Sequence, residues 1–396
     1  MSNPVSKEPK VANVPNLRFA YSEDIAPRNL SFFLEVRSER NTKGLFDKND
    51  VLSVSGDSGI VNQIELLGRS YAGESVLLYH VVEVNDIVYT KSPLASNPYG
   101  IIKTNGYKAG IVSTLYAVYK AKTNCNPFFV QHYFDYKPRI NKYLRPIVRI
   151  GAKHDMKIGN QEVLENTVFF PSVQEQNEIV SFLELVNERI ETQNKIIGDL
   201  LALKNFLINR HFSKPSNRRM DQYIVWESER NRSLAVTDVY SVSNSRGFVL
   251  QTEQFEDRAI ASGDVSNYKL VRNGFFAFNP ARVNVGSIAY YSRKDPGIVS
   301  PMYNCFSVNG LEPDYLLAFF QSKQFKRRLQ NKLEGSVRSC LTPDGMNHIQ
   351  FFVAPKKERA ILEKVLFAFE RKISIERTIL TAFQKQKAYL LANMFI

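Results

Sequence analysis

The sequence is poor in the features that mark secreted proteins, membrane proteins and zinc-binding modules. Its three cysteines, Cys125, Cys305 and Cys340, are too few and too scattered for a disulfide framework or a paired-cysteine zinc site, which favours a reducing compartment. Residues 1–14 are polar and contain no apolar signal core, and no apolar run approaches the ~18 residues that cross a membrane. We therefore expect a cytoplasmic protein without a membrane partner, preceded by a flexible tail at residues 1–14.

Catalytic and metal-binding motifs are also missing from the sequence. There is no phosphate-binding loop of the Gly-x4-Gly-Lys-Ser/Thr type, and the glycines at 55–59 lack the spacing of a dinucleotide-binding turn. The five histidines have no metal-ligand spacing. SNPYG at 96–100 is similar to the base-holding loop of amino-methyltransferases, but it lacks one proline and an upstream glycine motif, so a turn is favoured. We predict no catalytic residue, no metal and no bound cofactor on this chain.

Positive charge is the first feature that indicates a partner. Lysine and arginine together number 52 against 39 aspartates and glutamates, which gives a formal net charge of +13. Such an excess favours a polyanionic partner through electrostatic attraction and counterion release. Charge alone does not distinguish nucleic acid from other anionic surfaces.

An internal duplication organises the whole chain. VRSERN at 36–41 returns as WESERN at 226–231, LSVSGDSGIVNQ at 52–63 returns as YSVSNSRGFVLQ at 240–251, and GIVS at 110–113 returns at 297–300. The offset between the copies falls only from 190 to 183 residues along the chain. The chain therefore consists of two copies of one unit, which indicates a target with two parts or a pseudo-symmetric partner.

Each copy begins with a region typical of a sheet-centred domain. Segments 76–93 and 268–280 both predict a strand, a tight Asn-containing turn and a second strand, and segments 113–121 and 286–292 predict further strands. One helix is predicted in each copy, over 127–144 and over 313–333.

Each copy ends in a long helix with a heptad pattern. The apolar seam is interrupted by Gln193 and Lys204 in the first copy and, at the same places, by Glu376 and Lys387 in the second. The predicted interface comprises Ile179, Leu183, Val186, Ile190, Gln193, Ile197, Leu200 and Leu207 in the first copy and Leu362, Leu366, Phe369, Ile373, Glu376, Leu380, Phe383 and Leu390 in the second. We predict that the two helices pair antiparallel and that Gln193 lies beside Glu376 at the midpoint. A surface helix packed on its own domain is the alternative for a single stripe.

Two sets of side chains are candidates for DNA binding. Basic residues that recur in equivalent parts of the copies could contact phosphate, and polar or aromatic residues on the loops between strands could reach base edges. The predicted phosphate set is Lys137, Arg139, Lys142, Arg145, Arg149 and Lys153 in the first copy and Lys323, Lys326, Arg327, Arg328, Lys332 and Arg338 in the second. The predicted loop set is Lys91, Ser92, Tyr99, Tyr107 and Lys108, with Asn279, Arg282, Asn284, Arg293 and Lys294 in the second copy. For Asn97 and Asn105 a role in a turn is favoured.

This arrangement resembles the specificity subunit of type I restriction–modification systems. The resemblance is carried by the doubled SERN, SVS and GIVS order, by the central helix that begins FFPSVQEQNEIVSFLELVNERI, and by the opening VPNLRF at 14–19. The second helix departs from the pattern, because Glu175-Gln176 becomes Glu358-Arg359.

The resemblance implies an α+β fold with a pseudo-two-fold repeat. Two target-recognition domains, at 15–171 and 213–354, would each read one half of a bipartite DNA site, and two antiparallel helices, at 172–212 and 355–396, would set the spacer and dock methylation subunits. It implies double-stranded DNA, two methylation subunits and restriction translocase subunits as partners, in a bacterial or archaeal cytoplasm. S-adenosylmethionine, ATP and magnesium are then expected on the partner subunits. The alternatives are a recognition region split from a fused restriction–methyltransferase and a coiled-coil scaffold that binds proteins.

Overall fold

The structure is a computed structural model that describes residues 15–19, 25–94, 97–150, 156–244, 246–254, 264–334 and 339–396. The predicted tail at 1–14 lies outside these ranges. The chain divides into two compact units: unit 1 comprises residues up to Gln193 together with Ile379–Ile396, and unit 2 comprises Asn194–Thr378. Each unit therefore contains a part of both long helices.

The strands of the two units correspond one to one. Unit 1 contains β1 Arg28–Asn29, β2 Leu34–Arg37, β3 Leu52–Ser55, β4 Gly59–Asn62, β5 His80–Val82, β6 Ile87–Tyr89, β7 Ile102–Thr104, β8 Gly110–Val112, β9 Ala117–Ala121, β10 Arg149–Ile150, β11 Met156–Lys157 and β12 Thr167–Val168. Unit 2 contains β13 Arg218–Arg219, β14 Ile224–Glu227, β15 Val239–Ser243, β16 Gly247–Leu250, β17 Lys269–Val271, β18 Phe275–Phe278, β19 Ile288–Tyr290, β20 Gly297–Val299, β21 Asn304–Val308, β22 Leu333–Glu334, β23 Cys340–Leu341 and β24 Gln350–Phe351.

Most helices also recur in both copies, and two of them are long. They are α1 Gln63–Leu67, α2 Pro127–Asp135, α3 Lys137–Leu144, α4 Val173–Phe212, α5 Gln251–Gln254, α6 Pro313–Gln321, α7 Lys323–Gln330, α8 Pro343–Asn347 and α9 Lys356–Asn393. The predicted helix over 127–144 is two helices, α2 and α3, because Tyr136 adopts an extended backbone. The predicted helix over 313–333 likewise breaks at Ser322, whose extended backbone ends α6 and whose side chain accepts a hydrogen bond from the backbone of α7.

Two sheets form the centre of each unit. In unit 1 one sheet has the order β2-β9-β6-β7, and in unit 2 the matching sheet has the order β14-β21-β18-β19. The second sheet of unit 2 has the order β16-β15-β20-β17, with β15 and β20 parallel. In unit 1 the matching parallel contact is a single bridge between Val51 and Ile111, which links the β3-β4 pair to the β5-β8 pair.

The predicted strand-turn-strand segments are present, but they are not hairpins. Asn85 and Gly274 lie in the turns with positive φ, as tight turns require. The strands on either side of each turn pair with other partners: β5 with β8, β6 with β7 and β9, β17 with β20, and β18 with β19 and β21. Each turn therefore carries the chain from one sheet of its unit to the other.

The two long helices pair antiparallel, as predicted. In unit 1 the first turns of α4 share a core with the last turn of α9, where Leu183 and Leu390 are buried. In unit 2 the last turns of α4 share a core with the first turns of α9, where Ile208 and Leu366 are buried. All seam residues predicted from the heptad pattern are buried or half-buried. Gln193 and Glu376 are both buried, and their pairing stays a prediction.

Candidate nucleic-acid interface

The loop that follows β6 in unit 1 holds the first group of predicted DNA-binding residues. Lys91 has φ +47, in the left-handed region that a lysine rarely adopts, and its ammonium group donates a hydrogen bond to the side chain of Asn160. Burial lowers the pKa of Lys91. Tyr99 is anchored through its carbonyl oxygen, which accepts a hydrogen bond of 2.7 Å from the buried Tyr89 hydroxyl. Lys91 therefore fixes the loop, and half-buried Ser92 and Tyr99 lie on it.

The equivalent loop of unit 2 follows β18 and is held by a different residue. Asn279 is buried, and its side-chain oxygen accepts a hydrogen bond of 3.0 Å from the backbone of Ala281. Its own N–H bonds to the carbonyl of Ser287 across the loop, so Asn279 acts as a turn residue. Arg282 and Asn284 are exposed on the short turn that follows. These two are the side-chain types that pair with guanine and adenine in the major groove.

A second pair of loops, after β7 and after β19, carries cations beside aromatic rings. The Lys108 ammonium nitrogen lies 5.3 Å from the centroid of the exposed Tyr107 ring, and the Tyr107 hydroxyl donates to Glu65 at 2.8 Å. In unit 2 the guanidinium of exposed Arg293 lies 4.9 Å from the Tyr240 ring centroid. Lys294 is exposed next to it.

The same loops contain Asn105, which is fully buried. Its amide donates hydrogen bonds of 3.0 Å to the carbonyls of Glu83 and Lys108. Because both donors are used inside the turn, Asn105 has the structural role that the sequence favoured for it.

Arg139 belongs to the interior, unlike the other basic residues of its helix. It is 9% exposed, and its guanidinium donates hydrogen bonds to the carbonyls of Tyr133 at 2.9 Å and of Leu391 at 3.0 Å. It also lies over the rings of Tyr133 and Phe395. Burial lowers the pKa of Arg139. The position that matches it in unit 2 is Phe325 of α7, which is also buried, so the repeat itself contained the signal that residue 139 lies in the core.

The remaining basic side chains of this part of unit 1 face solvent. Lys137 and Lys142 lie on α3, Arg145 caps that helix, and Arg149 begins β10 with 85% of its side chain exposed. Arg149 lies 4.0 Å from a carboxylate oxygen of Glu162, at the limit of an ion pair. The predicted residue Lys153 lies outside the described residues.

In unit 2 the corresponding helix is α7, and its cations differ in their exposure and hydrogen bonding. Lys323, Lys326 and Arg327 are exposed. Arg328 is half-buried, donates to the carbonyl of Gln350, and has its pKa lowered by burial and by neighbouring Arg327. Lys332 is also half-buried. Helix α7 packs against the turn that carries Arg282 and Asn284, so exposed phosphate-binding and base-reading candidates lie on adjoining elements. Arg338 lies outside the described residues.

The doubled SERN motif stabilises a turn in each unit. The buried Asn41 side chain donates to the carbonyl of Phe46 and accepts from its N–H, and Asn231 makes the same two bonds with Val236. The motif is therefore part of the repeated framework.

A buried charged network joins α2 to α4 in unit 1, and sequence reasoning did not find it. His132 is fully buried and lies 2.9 Å from Glu184 of α4 through Nε2, while Nδ1 lies 3.8 Å from Asp135. Asp135 in turn pairs with Lys103 at 2.6 Å. Burial opposes protonation of His132, but the two carboxylates outweigh it and raise its pKa.

The two long helices begin with different residues in the same role. Gln176 is buried and donates to the carbonyl of Pro171 at 2.9 Å, and its side-chain oxygen accepts from the backbone of Asn126, which caps α2. Arg359, which takes the place of Gln176, donates to the carbonyl of Ala354 at 3.0 Å and pairs with Glu312, the N-cap residue of α6, at 2.7 Å. The departure in the second helix thus preserves the contact between each long helix and its unit.

Within the described ranges, no group of acidic, histidine or cysteine side chains could hold a metal ion. No helix in those ranges is both long enough and apolar enough to cross a membrane.

No protein-family model matches the sequence, and no curated protein matches it at a significant level. Solved structures do share its fold. One is a chain from a study of complex assembly and conformational transition of the type I R-M system; it is 13% identical, the match covers 93% of this chain and 97% of that chain, and the TM-score is 0.55. Another is the type I restriction–modification S subunit from M. genitalium, which is 12% identical, with 97% and 99% coverage and a TM-score of 0.53. The chain therefore has the fold that the sequence resemblance predicted.

Proposed function

We propose that this chain is the non-catalytic DNA-recognition subunit of a type I restriction–modification complex. The observation that carries the proposal is the fold shared with an S subunit over 97% of the chain, which includes both units and both long helices. Because a fold alone does not determine a function, the surface chemistry has to agree with it.

Phosphate contacts would come from the exposed cations of equivalent helices and, in unit 1, of the segment that follows the helix. These are Lys137, Lys142, Arg145 and Arg149 in unit 1 and Lys323, Lys326 and Arg327 in unit 2. Such contacts position a protein on the duplex without reading its sequence. Arg139 and Arg328 are omitted from this set because their guanidinium groups bond to carbonyls of their own units.

Base contacts would come from the loops after β6 and β18. These loops occupy equivalent places, but one is fixed by Lys91 and Asn160 and the other by Asn279. Their exposed or half-exposed side chains also differ, with Ser92 and Tyr99 in unit 1 and Arg282 and Asn284 in unit 2. A shared framework with different loops suits two readers of two different half-sites.

The partners follow from the same proposal. The paired helices would set the length of the unread spacer and dock two methylation subunits, and restriction translocase subunits would complete the complex. S-adenosylmethionine, ATP and magnesium would be bound by those subunits. The complex would act in the cytoplasm of a bacterium or archaeon, where its DNA lies.

Domain replacement tests the proposal. Residues 215–350 would be exchanged for the matching region of a related subunit, and methylated adenines would be mapped in cells that also express the methylation subunits. We expect a bipartite methylated sequence in which only one half changes. A change in both halves would contradict independent readers, and the absence of any methylated motif would contradict the proposed function.

The phosphate set has its own test on α7. The double variant Lys326→Ala, Arg327→Ala should weaken binding to duplexes of any sequence and reduce the slope of log affinity against log salt by about 2, since each phosphate contact contributes about 0.9. Arg328→Ala, the neighbour that bonds to Gln350, is the matched control and should leave that slope unchanged. Equal slopes for all three proteins would remove α7 from the interface.

A further inference from the structure

Each unit contains an open groove beside the first turns of a long helix. Groove 1, in unit 1, lies between the segment containing Phe19 and α4, and is lined by Val173, Glu178, Phe182 and Leu185. Phe19 meets Phe182 edge to face, with 6.0 Å between ring centroids. Groove 1 is thus formed by contacts within unit 1.

Groove 2, in unit 2, lies between the last turns of α4 and the first turns of α9. It is lined by Leu207, Arg210, Lys214, Ile361 and Val365. With the 183-residue offset between the long helices, Ile361 and Val365 take the places of Glu178 and Phe182. Both grooves therefore lie at the first turns of a long helix, although their opposite walls differ, with Phe19 in groove 1 and the last turns of α4 in groove 2.

An exposed apolar surface recurs in both grooves. Leu185 is 60% exposed in groove 1, and Ile361 is 63% exposed in groove 2. Val365 is exposed one turn after Ile361, and Val173 is exposed about three turns before Leu185. Exposed apolar side chains that line an open groove are typical of a surface for another protein. Because this feature is present in both copies, one kind of partner fits both grooves.

The charge around the grooves does not recur. Among the described residues, the lining of groove 1 contains one carboxylate, Glu178, and no cation. In groove 2, Arg210 and Lys214 belong to the lining, and Lys214 pairs with Glu358 at 3.1 Å.

The difference extends along the faces of the helices. Lys357 and Lys364 are exposed and lie four residues before and three residues after Ile361, so they share its face of α9. The matching residues of α4, Gln174 and Ser181, are uncharged and line groove 1. Groove 2 is therefore basic where groove 1 is not.

We propose that the two grooves bind two copies of one partner protein with unequal strength, and that groove 2 binds more tightly through acidic side chains around an apolar anchor of the partner. The inference rests on the proposed function, in which this partner is the methylation subunit. Opposite charges across an interface accelerate association and add affinity at low salt, so the same partner surface gains more from groove 2. The complex then assembles in two steps.

A protein partner accounts for the grooves better than DNA does. Phosphate contacts would use the lysines of groove 2 but would leave Ile361 and Val365 without a role, and they would give groove 1 no role at all. A loss of DNA affinity alone, when the lysines of groove 2 are replaced, would instead indicate that groove 2 binds DNA.

The experiment titrates the full-length chain with the methylation subunit of the same system, at about 0.1 M and about 0.5 M salt, where screening differs strongly. Native mass spectrometry would count bound copies, and calorimetry would give both affinities. We expect two affinities at low salt that differ by about tenfold or more, a gap of the size that several rim charges supply, and that converge at high salt.

Three variants show which groove is used in each of the two binding steps. Ile361→Asp should leave one copy bound with weak salt dependence, and Leu185→Asp should leave one copy bound with strong salt dependence. Lys357→Glu, Lys364→Glu should weaken the tighter step about tenfold at low salt. Its matched control, Gln174→Glu, Ser181→Glu, adds two acids to the weaker groove and should leave the tighter step unchanged.

The outcomes separate this inference from the proposed function. Two copies bound with equal, equally salt-dependent affinities would overturn the inequality and leave the function standing. The inequality would also be overturned if the Lys357→Glu, Lys364→Glu variant kept the affinity of the tighter step. The same holds if that variant lost only its affinity for DNA. If the wild-type chain binds no methylation subunit, both proposals are wrong.

Discussion

The guanidinium of Arg139 supplies hydrogen bonds to the C-terminal end of α9. The last carbonyls of a helix have no partner within the helix and carry partial negative charge. Arg139 donates to one of them, that of Leu391, at 3.0 Å, and to the carbonyl of Phe395, two residues beyond the helix, at 3.4 Å. The positive charge of Arg139 is thus stabilised by carbonyl groups and aromatic faces in place of a carboxylate.

Replacing Arg139 by methionine should destabilise unit 1 by about 2–4 kcal/mol, because buried carbonyls lose their donor while the apolar volume is kept. Denaturant unfolding would measure the change. Arg145→Ala, an exposed substitution at the C-cap of α3, should change stability by less than about 0.5 kcal/mol and should instead lower DNA affinity. Equal stability of the two variants would contradict the buried role of Arg139.

The network around His132 makes the stability of unit 1 depend on pH. The folded-state pKa of His132 lies above 6.5, so protonation stabilises the folded chain. This contribution is complete below about pH 6.5, the unfolded value, and is lost as the pH rises through the raised folded value.

We therefore expect His132 to contribute a fall in the midpoint of thermal unfolding between pH 6 and pH 8.5, measured by the circular dichroism signal. His132→Gln keeps a polar partner for Glu184 but cannot be protonated, so it should remove the part of the slope that His132 contributes. The same slope in both proteins would show that His132 does not titrate in this range.

At the scale of elements, the N-terminal ends of α4 and α9 are attached to their units by different residues. Gln176 contacts the start of α2, and Arg359 contacts Glu312 at the start of α6. The pair Arg359 and Glu312 should therefore be replaceable together by the pair found in unit 1.

A double-mutant cycle tests this exchange. Arg359→Gln and Glu312→Asn should each lower the unfolding free energy of unit 2 by about 1 kcal/mol, and the combined variant should recover part of the loss. Urea denaturation followed by the fluorescence of the single tryptophan, Trp226, would report on unit 2. Simple additivity of the two losses would contradict the substitution of one pair for the other.

The seam of the helix pair should not tolerate charge. Leu183 is fully buried and Leu366 is 8% exposed, so Leu183→Asp or Leu366→Asp should cost about 3–5 kcal/mol and prevent assembly with partner subunits. Leu203→Asp on α4, where the side chain is 49% exposed, is the control and should fold and assemble normally. Size-exclusion chromatography and thermal unfolding would distinguish them. Full assembly of both seam variants would argue against paired helices.

The seam could be predicted from the sequence because burial along a paired helix repeats every 3.5 residues, which single residue types report directly. The loops could not be predicted in the same way. Asn279 and Arg282 are both polar and three residues apart, yet one is buried in a turn and the other is exposed. Arg139 was assigned to the surface by its charge, whereas its surroundings in space, including the end of α9, decide its role.

At the scale of the whole molecule, the repeat is continuous in one unit and interrupted in the other. Unit 2 is one stretch of chain, Asn194–Thr378, whereas unit 1 needs Ile379–Ile396 to complete it. Leu390, Leu391, Met394 and Phe395 are buried in the core of unit 1. The N–H of Leu17 bonds to the carbonyl of Asn393 at 2.9 Å.

A chain that stops after residue 378 should keep unit 2 folded and lose unit 1. The four missing side chains would each remove about 1.5–3 kcal/mol of apolar burial, which together is comparable to the stability of a domain. Hydrogen exchange should then show that α2 loses protection while β18 and β21 keep it. Retained protection of α2 would contradict the dependence of unit 1 on the distal segment.

The split composition of unit 1 has a consequence for how the chain folds as it leaves the ribosome. Domains generally fold as they emerge, from the N-terminus onward. Here the segment made first cannot close its core until Phe395 has been added, while the continuous segment made later has no such delay. We therefore expect the order of folding to be the reverse of the order of synthesis, with apolar surface of the nascent first unit exposed until residues 379–396 have been made.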